Sequence, residues 1–239
     1  VMSYKYALEK PQFVSSFFIS AQRVFLGLAV NMLCTVVTAY PLSKTPKEFA
    51  GRNIYAWYMF VTMVFSGGLI PWYITIRQLG LIDTLWALVL PGAVPVFNVI
   101  ILMNFFKQLP KEISESAFID GAGHFTILLK IFVPLSLPSI ATITLFCVVG
   151  HWNDWFSGMI LMMSPEKYPL QTYLRSIIVV RDSQTLANAS KEALEMLSLV
   201  SDRTLKSAQI FIAAAPVLLL YPFLQKYFMK GLTLGSVKG

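Results

Sequence analysis

The chain has 239 residues, 56% of them hydrophobic and 13% charged, with a mean hydropathy of +0.65. Soluble domains carry about a quarter charged residues, so an ordinary water-soluble enzyme is excluded, and a 14% aromatic content excludes a disordered chain. The net charge of +7 would suggest nucleic acid in a soluble protein; in a membrane protein it marks basic residues at span ends, and no nucleic-acid partner is expected.

In chain order, the first residues carry Lys5, Glu9 and Lys10 and form no apolar leader core. A helix needs about 20 mostly apolar residues to cross the hydrocarbon layer. Five stretches meet that length: 18–42, 54–76, 84–106, 136–162 and 207–224. The second contains Gly67, Gly68 and Pro71, and the third Pro91, Gly92 and Pro95. Such breakers are tolerated where neighbouring helices or a wet cavity satisfy the freed carbonyls. The expected fold is an all-α polytopic bundle, one transmembrane domain over 1–239, in contact with membrane lipid. Cys34 and Cys147 sit in apolar stretches and read as small buried hydrophobes. With only His124 and His151 beside them, no metal-ligand spacing exists.

Five spans put the two ends on opposite sides. Segments 43–53, 107–135 and 225–239 hold a slightly denser set of Lys and Arg, which favours placing them in the cytoplasm. Loop 163–206 then faces outward.

The segment 107–135 is the most informative. Pro110 suits a first helical turn, and Glu112 and Glu115 complement the N-terminal dipole. A short helix is expected to run through Asp120 and end at Gly121 and Gly123, since glycine adopts the left-handed cap without strain. A second short helix, 124–132, carries Phe125, Leu128, Leu129 and Phe132, and Pro134 and Pro138 lead back to the membrane. Two short helices joined by a glycine turn make either a knob that transmits force or an ordinary re-entry loop.

The order Glu115-Ser116-Ala117, Gly121, Ile131-x-Val133-Pro134 resembles the "EAA" signature of binding-protein-dependent ABC importer permeases. Ser116 replaces an alanine and Val133 a leucine; the spacing is intact. Trp152-Asn153-Asp154 is similar to a cluster of carbohydrate-importer permeases, and the Gly231-Leu232-Thr233 ending to the smaller maltose-type permease. Phe65 to Pro71 looks closest to a branch handling oligosaccharides from complex polysaccharides. That family has six spans, so the resemblance implies that the first one is missing here.

The resemblance implies a type I ABC importer permease fold in a bacterial inner membrane. It makes Glu115, Ser116, Ala117, Asp120, Gly121 and Ala122 the surface gripped by an ATPase. The implied partners are a second permease, two ATPase subunits, an extracytoplasmic solute-binding protein and a carbohydrate. ATP and Mg belong to the ATPases. The chain has no G-x-x-x-x-G-K-[ST] and no catalytic constellation, so no cofactor of its own is expected. His151, Trp152, Asn153 and Asp154 are candidates for the substrate pathway by stacking and hydrogen bonding, or else for membrane anchoring and interhelical bonds. Asn31 and Asn98 are weaker pathway candidates. Leu174, Arg175 and Arg181 are candidates for binding-protein contact, and Arg77, Arg175 and Arg181 raise the idea of an acidic sugar. The competing reading is a proton-coupled transporter relaying through His151 and Asp154, three residues apart; it leaves 107–135 unexplained.

Overall fold

The computed structural model describes residues 11–176, 210–216, 218, 219 and 222. These residues are helical wherever they are regular, with no strand among them, as the hydropathy pattern predicts. Helix α1, Pro11–Ser43, has 33 residues and is long and apolar enough to cross a membrane. Its length of about 50 Å exceeds a hydrocarbon core of about 30 Å. Pro11 opens it, where a missing N–H costs nothing.

The next expected spans are interrupted where the sequence places Gly and Pro. Helices α2 (Arg52–Val64) and α3 (Leu69–Gln78) are separated at 65–68, where Gly68 has φ +86°. Short 3-10 turns, Leu85–Leu88 and Leu90–Gly92, precede α4 (Val96–Gln108), and Pro95 stands at its N-cap. Proline removes a donor and clashes with the preceding turn, so neither stretch continues as one α-helix. Then come α5 (Lys111–Ile119), α6 (His124–Leu135), α7 (Leu137–Asn153) and α8 (Phe156–Leu161). Among the described residues, one unbroken helix and three broken pairs have the length and composition of spans. The expected fifth span is described only at 210–216, 218, 219 and 222, where it is helical, and Arg181, 177–206 and the Gly231 ending lie outside the described residues.

Packing divides the described chain into two compact units. The first gathers 11–26, 73–91, 148–176 and the helical residues from 210. Phe13, Trp152, Leu170, Tyr173, Leu174 and Ala213 form its core, with Phe17 edge-on to Trp152 at 5.5 Å. Gly158 lets 169–172 lie directly against α8, because a Cβ there would stand 2.1 Å from the Thr172 hydroxyl. Lipid tails are as apolar as leucine, so close approach of this kind, more than exclusion of water, holds a membrane bundle together. The second unit gathers 27–72, 92–147 and residue 222. Its core includes Tyr40, Val99, Leu102, Phe106, Ile127, Phe132 and Ile143. Helix α2 buries none of its residues, and Ile54, Trp57 and Tyr58 point outward, an arrangement that lipid accommodates.

Candidate functional site

The segment 107–135 folds as two short helices about a glycine. Pro110 is the N-cap of α5 and Glu112 lies in its first turn. At the other end the Ala122 N–H donates to the Ala117 carbonyl (2.9 Å) and the Gly121 N–H to Phe118 (3.0 Å). This is a Schellman closure, and it requires the left-handed conformation that Gly121 adopts at φ +80°. Glu115, Ser116, Asp120 and Gly121 are exposed, whereas Ala117 and Ala122 are half-buried and pack on the core of the second unit. The six sequence-predicted residues therefore come together with an outward polar face and two small residues as its footing.

An aromatic cluster that the sequence reading missed ties this knob to the end of α1. The His124 ring lies edge-on to Phe118 at 5.0 Å, and its Nδ1 is 3.2 Å from the Tyr40 hydroxyl. Tyr40 meets Phe132 edge-on at 5.1 Å, and Phe132 meets Phe106 at 5.3 Å. The Lys44 ammonium lies 4.5 Å over Tyr40 and 4.8 Å over Phe132. Edge-to-face pairs and cation–π contacts are directional, and these join the knob to α1 at Tyr40 and to α4 at Phe106. Ile127, buried completely, was also unforeseen, while Phe125 and Leu129 are exposed. The second helix runs past the expected 132 to Leu135; residues Leu128–Phe132 form a π turn, and the chain bends by 83° before α7. Beside α5, a cleft of about 380 Å³ is lined by Lys44, Arg52, Lys107 and Lys111 together with Glu48 and Glu115. Hydrogen bonds from the Thr45 hydroxyl (2.6 Å) and N–H (2.7 Å) hold the Glu48 carboxyl below its usual range. Burial pushes the Lys44 ammonium down, against the opposing pull of Glu48.

In the second unit Asn31 and Asn98 also come together. Asn98 Nδ2 donates to Cys147 Sγ at 3.4 Å and Asn31 is buried beside the same thiol, so α1, α4 and α7 place polar groups in one buried cluster.

The Trp152-Asn153-Asp154 cluster in the first unit is divided by the fold. Trp152 is 5% exposed and donates its indole N–H to the Ala213 carbonyl (2.7 Å), so its faces are taken by packing. Asp154 does not pair with His151, as the three-residue spacing suggested. It pairs instead with Arg23, which is 2% exposed and lies 131 residues away. Arg23 Nη2 reaches Asp154 Oδ2 at 2.5 Å, and Nη1 donates to the Asp154 carbonyl at 2.8 Å. The Ser157 N–H bonds the second carboxylate oxygen at 3.0 Å, and the buried Nε2 of His151 has no hydrogen-bond partner among the described residues.

Asn153 faces outward into a cavity of about 340 Å³ with Trp155, Gln171, Leu174, Arg175, Ile210, Ala213 and Ala214. The Arg175 guanidinium lies over the Trp155 ring at 5.0 Å, and Leu174 is a core residue, 7% exposed. Trp155 and Gln171 were missed in the sequence; a position three residues beyond the buried Trp152 was the available signal. Asp83 anchors 163–167 of the same unit: its carboxylate accepts from the Met163 N–H (3.0 Å), the Ser164 N–H and hydroxyl, and Lys167 Nζ (2.6 Å). Those contacts, Lys167 foremost, hold the Asp83 carboxyl well below the usual range. Among the described residues no group of His, Cys, Asp and Glu has a metal-binding arrangement.

A family model described as "binding-protein-dependent transport system inner membrane component" matches residues 13–234. This chain belongs to that family. The permease is 42% identical over 238 residues to the protein LplC of Bacillus subtilis (strain 168), spanning 99% of this chain and 78% of that one. It is 40% identical over 237 residues to the polygalacturonan/rhamnogalacturonan transport system permease protein YtcP of the same strain, spanning 99% of this chain and 81% of that one. A solved chain from a bacterial ABC transporter involved in the import of the acidic polysaccharide alginate is similar in structure. Its TM-score is 0.85 and its identity 33%, over 95% of this chain and 79% of that one. The permease is thus of the carbohydrate ABC importer kind with the type I permease fold, as its motifs implied.

Proposed function

We propose that this permease moves an oligosaccharide into the cytoplasm by ATP-driven alternating access. In this reading 107–135 docks on an ATPase subunit at the cytoplasmic face, and 163–206 meets a solute-binding protein outside. A second permease completes the pathway, and ATP and Mg are bound by the ATPases. The knob around Gly121 carries the proposal: its exposed Glu115, Ser116 and Asp120 await an outside partner, while its inner side is wedged into the bundle. Closure of an ATPase pair draws two such knobs together, and the nucleotide's greater affinity for the closed pair supplies the free energy. The names of two relatives, which refer to polygalacturonan/rhamnogalacturonan and alginate, support an oligosaccharide cargo cut from a longer polymer.

The test is uptake by vesicles holding the reconstituted complex, with and without the ATPase subunits. Uptake that needs ATP and both ATPases is expected, and Gly121→Val, strained in the left-handed region, should abolish it while the protein still inserts. Uptake driven by a pH gradient without ATP would replace this reading with proton coupling.

A further inference from the structure

The cavity around Arg175 has a composition that no structural role requires. Its polar lining consists of Asn153, Gln171 and the Arg175 guanidinium, and its apolar wall of Trp155, Leu174 and three residues from 210–214. Among the described residues lining it there is no Asp or Glu. Two other cations of this unit are committed, Arg23 to Asp154 and Lys167 to Asp83, while the exposed Arg77 is, like Arg175, in no ion pair among the described residues. Among the described residues Arg175 is in no ion pair, and its contact is the Trp155 face. A guanidinium held over an indole face still has N–H donors at its edge, and a carboxylate can take two of them through parallel hydrogen bonds. Amide side chains on either side suit vicinal hydroxyls, and an apolar floor suits the C–H face of a sugar ring.

The wall at Trp155 is held by specific contacts. The Trp155 carbonyl accepts from the Thr172 hydroxyl at 2.9 Å, three residues before Arg175, and the absence of a Cβ at Gly158 permits that approach. Asp154, next to Trp155, is fixed by Arg23. A volume of about 340 Å³ lies at the small end of ligand sites, which run from about 300 to 1,000 Å³.

We propose that this cavity is a subsite for one uronic-acid ring of an acidic oligosaccharide, with Arg175 binding the carboxylate, Trp155 holding the guanidinium flat, and Asn153 and Gln171 meeting hydroxyls. It rests on the transport reading above, whose cargo it specifies: negatively charged oligomers are favoured over neutral ones of the same sugars.

The test uses the purified transporter complex, with tetragalacturonate and its fully methyl-esterified form as probes. Titration of tryptophan fluorescence should give a saturable change with the acid and little with the ester, and Trp155→Phe should remove most of the signal. Arg175→Gln should weaken acid binding about tenfold or more, since one charge-assisted pair is lost. Arg175→Lys should fall between, keeping the charge without the paired donors. In vesicles, Arg175→Gln should lower ATP-driven uptake of the acid by a similar factor and leave uptake of the ester unchanged. An equal fall for both probes, or none for either, would overturn the subsite while wild-type uptake with ATP keeps the transport reading. Arg175-dependent binding of the acid without ATP-driven uptake of any oligomer would do the reverse.

Discussion

The knob at 107–135 and the frame at 148–176 differ in how far their charges are paired. In the knob, Glu112, Glu115 and Asp120 are exposed, and among the described residues none is in an ion pair. In the frame, Arg23 and Asp154 hold each other, and Asp83 holds Lys167 together with the amides of 163–164. The knob leaves its three acids unpaired, whereas the frame pairs Asp154 and Lys167 and, among the described residues, leaves the exposed Glu166 and Arg175 outside ion pairs. Arg175 belongs to the frame by position and, among the described residues, resembles the knob's acids in having no ion-pair partner.

The sharpest way to break that comparison is at the buried pair. Arg23→Ala leaves the Asp154 carboxylate uncompensated, and the expected loss is about 3–5 kcal/mol of stability. Thermal unfolding in detergent should show it, with Glu115→Ala indistinguishable from wild type in the same assay. Equal behaviour of the two variants would erase the distinction between knob and frame. Next in size is Gly158→Ala, whose methyl would meet Thr172; overpacking of this kind costs about 1–3 kcal/mol, read in the same experiment. Gly121→Ala should cost about 1–2 kcal/mol from the left-handed backbone alone, because nothing lies within 4 Å of the added carbon. The smallest effect concerns pH. The carboxyl of Asp83 is held below its unfolded value, so its contribution is present above about pH 4 and is lost only as pH falls through the lower folded-state value. Protease nicking after Lys167 should therefore stay constant from pH 7 to 4, and Asp83→Asn should raise it throughout.

How legible each region was in the sequence follows from the range of its contacts. The knob is local: a proline, two acids, a small residue and a glycine cap fall within a dozen positions, and the observed Lys111–Ile119 with its turn at Gly121 matches the reading closely. The breaks near Gly68 and Pro95 were likewise visible, since they depend on backbone chemistry. The Arg23–Asp154 pair was hidden because 131 residues separate its members. The i, i+3 spacing of His151 and Asp154 instead suggested a false partnership. The motif also drew attention to Trp152, whereas one helical turn later Trp155 is the ring that stays open. Tyr40 and Lys44 gave no local sign of their role, because the rings they meet come from a segment more than 80 residues on.

The π turn at Leu128–Phe132 has a consequence for everything that follows it. It accommodates one residue more than α geometry does, and at 3.6 residues per turn each residue swings the helix by about 100°. It acts as a phase shifter between knob and bundle: deletion of the exposed Leu129 would restore a regular helix and rotate the side-chain pattern downstream, including Phe132, away from Tyr40 and Phe106. The knob would survive such a deletion intact, yet it would be geared to the wrong face.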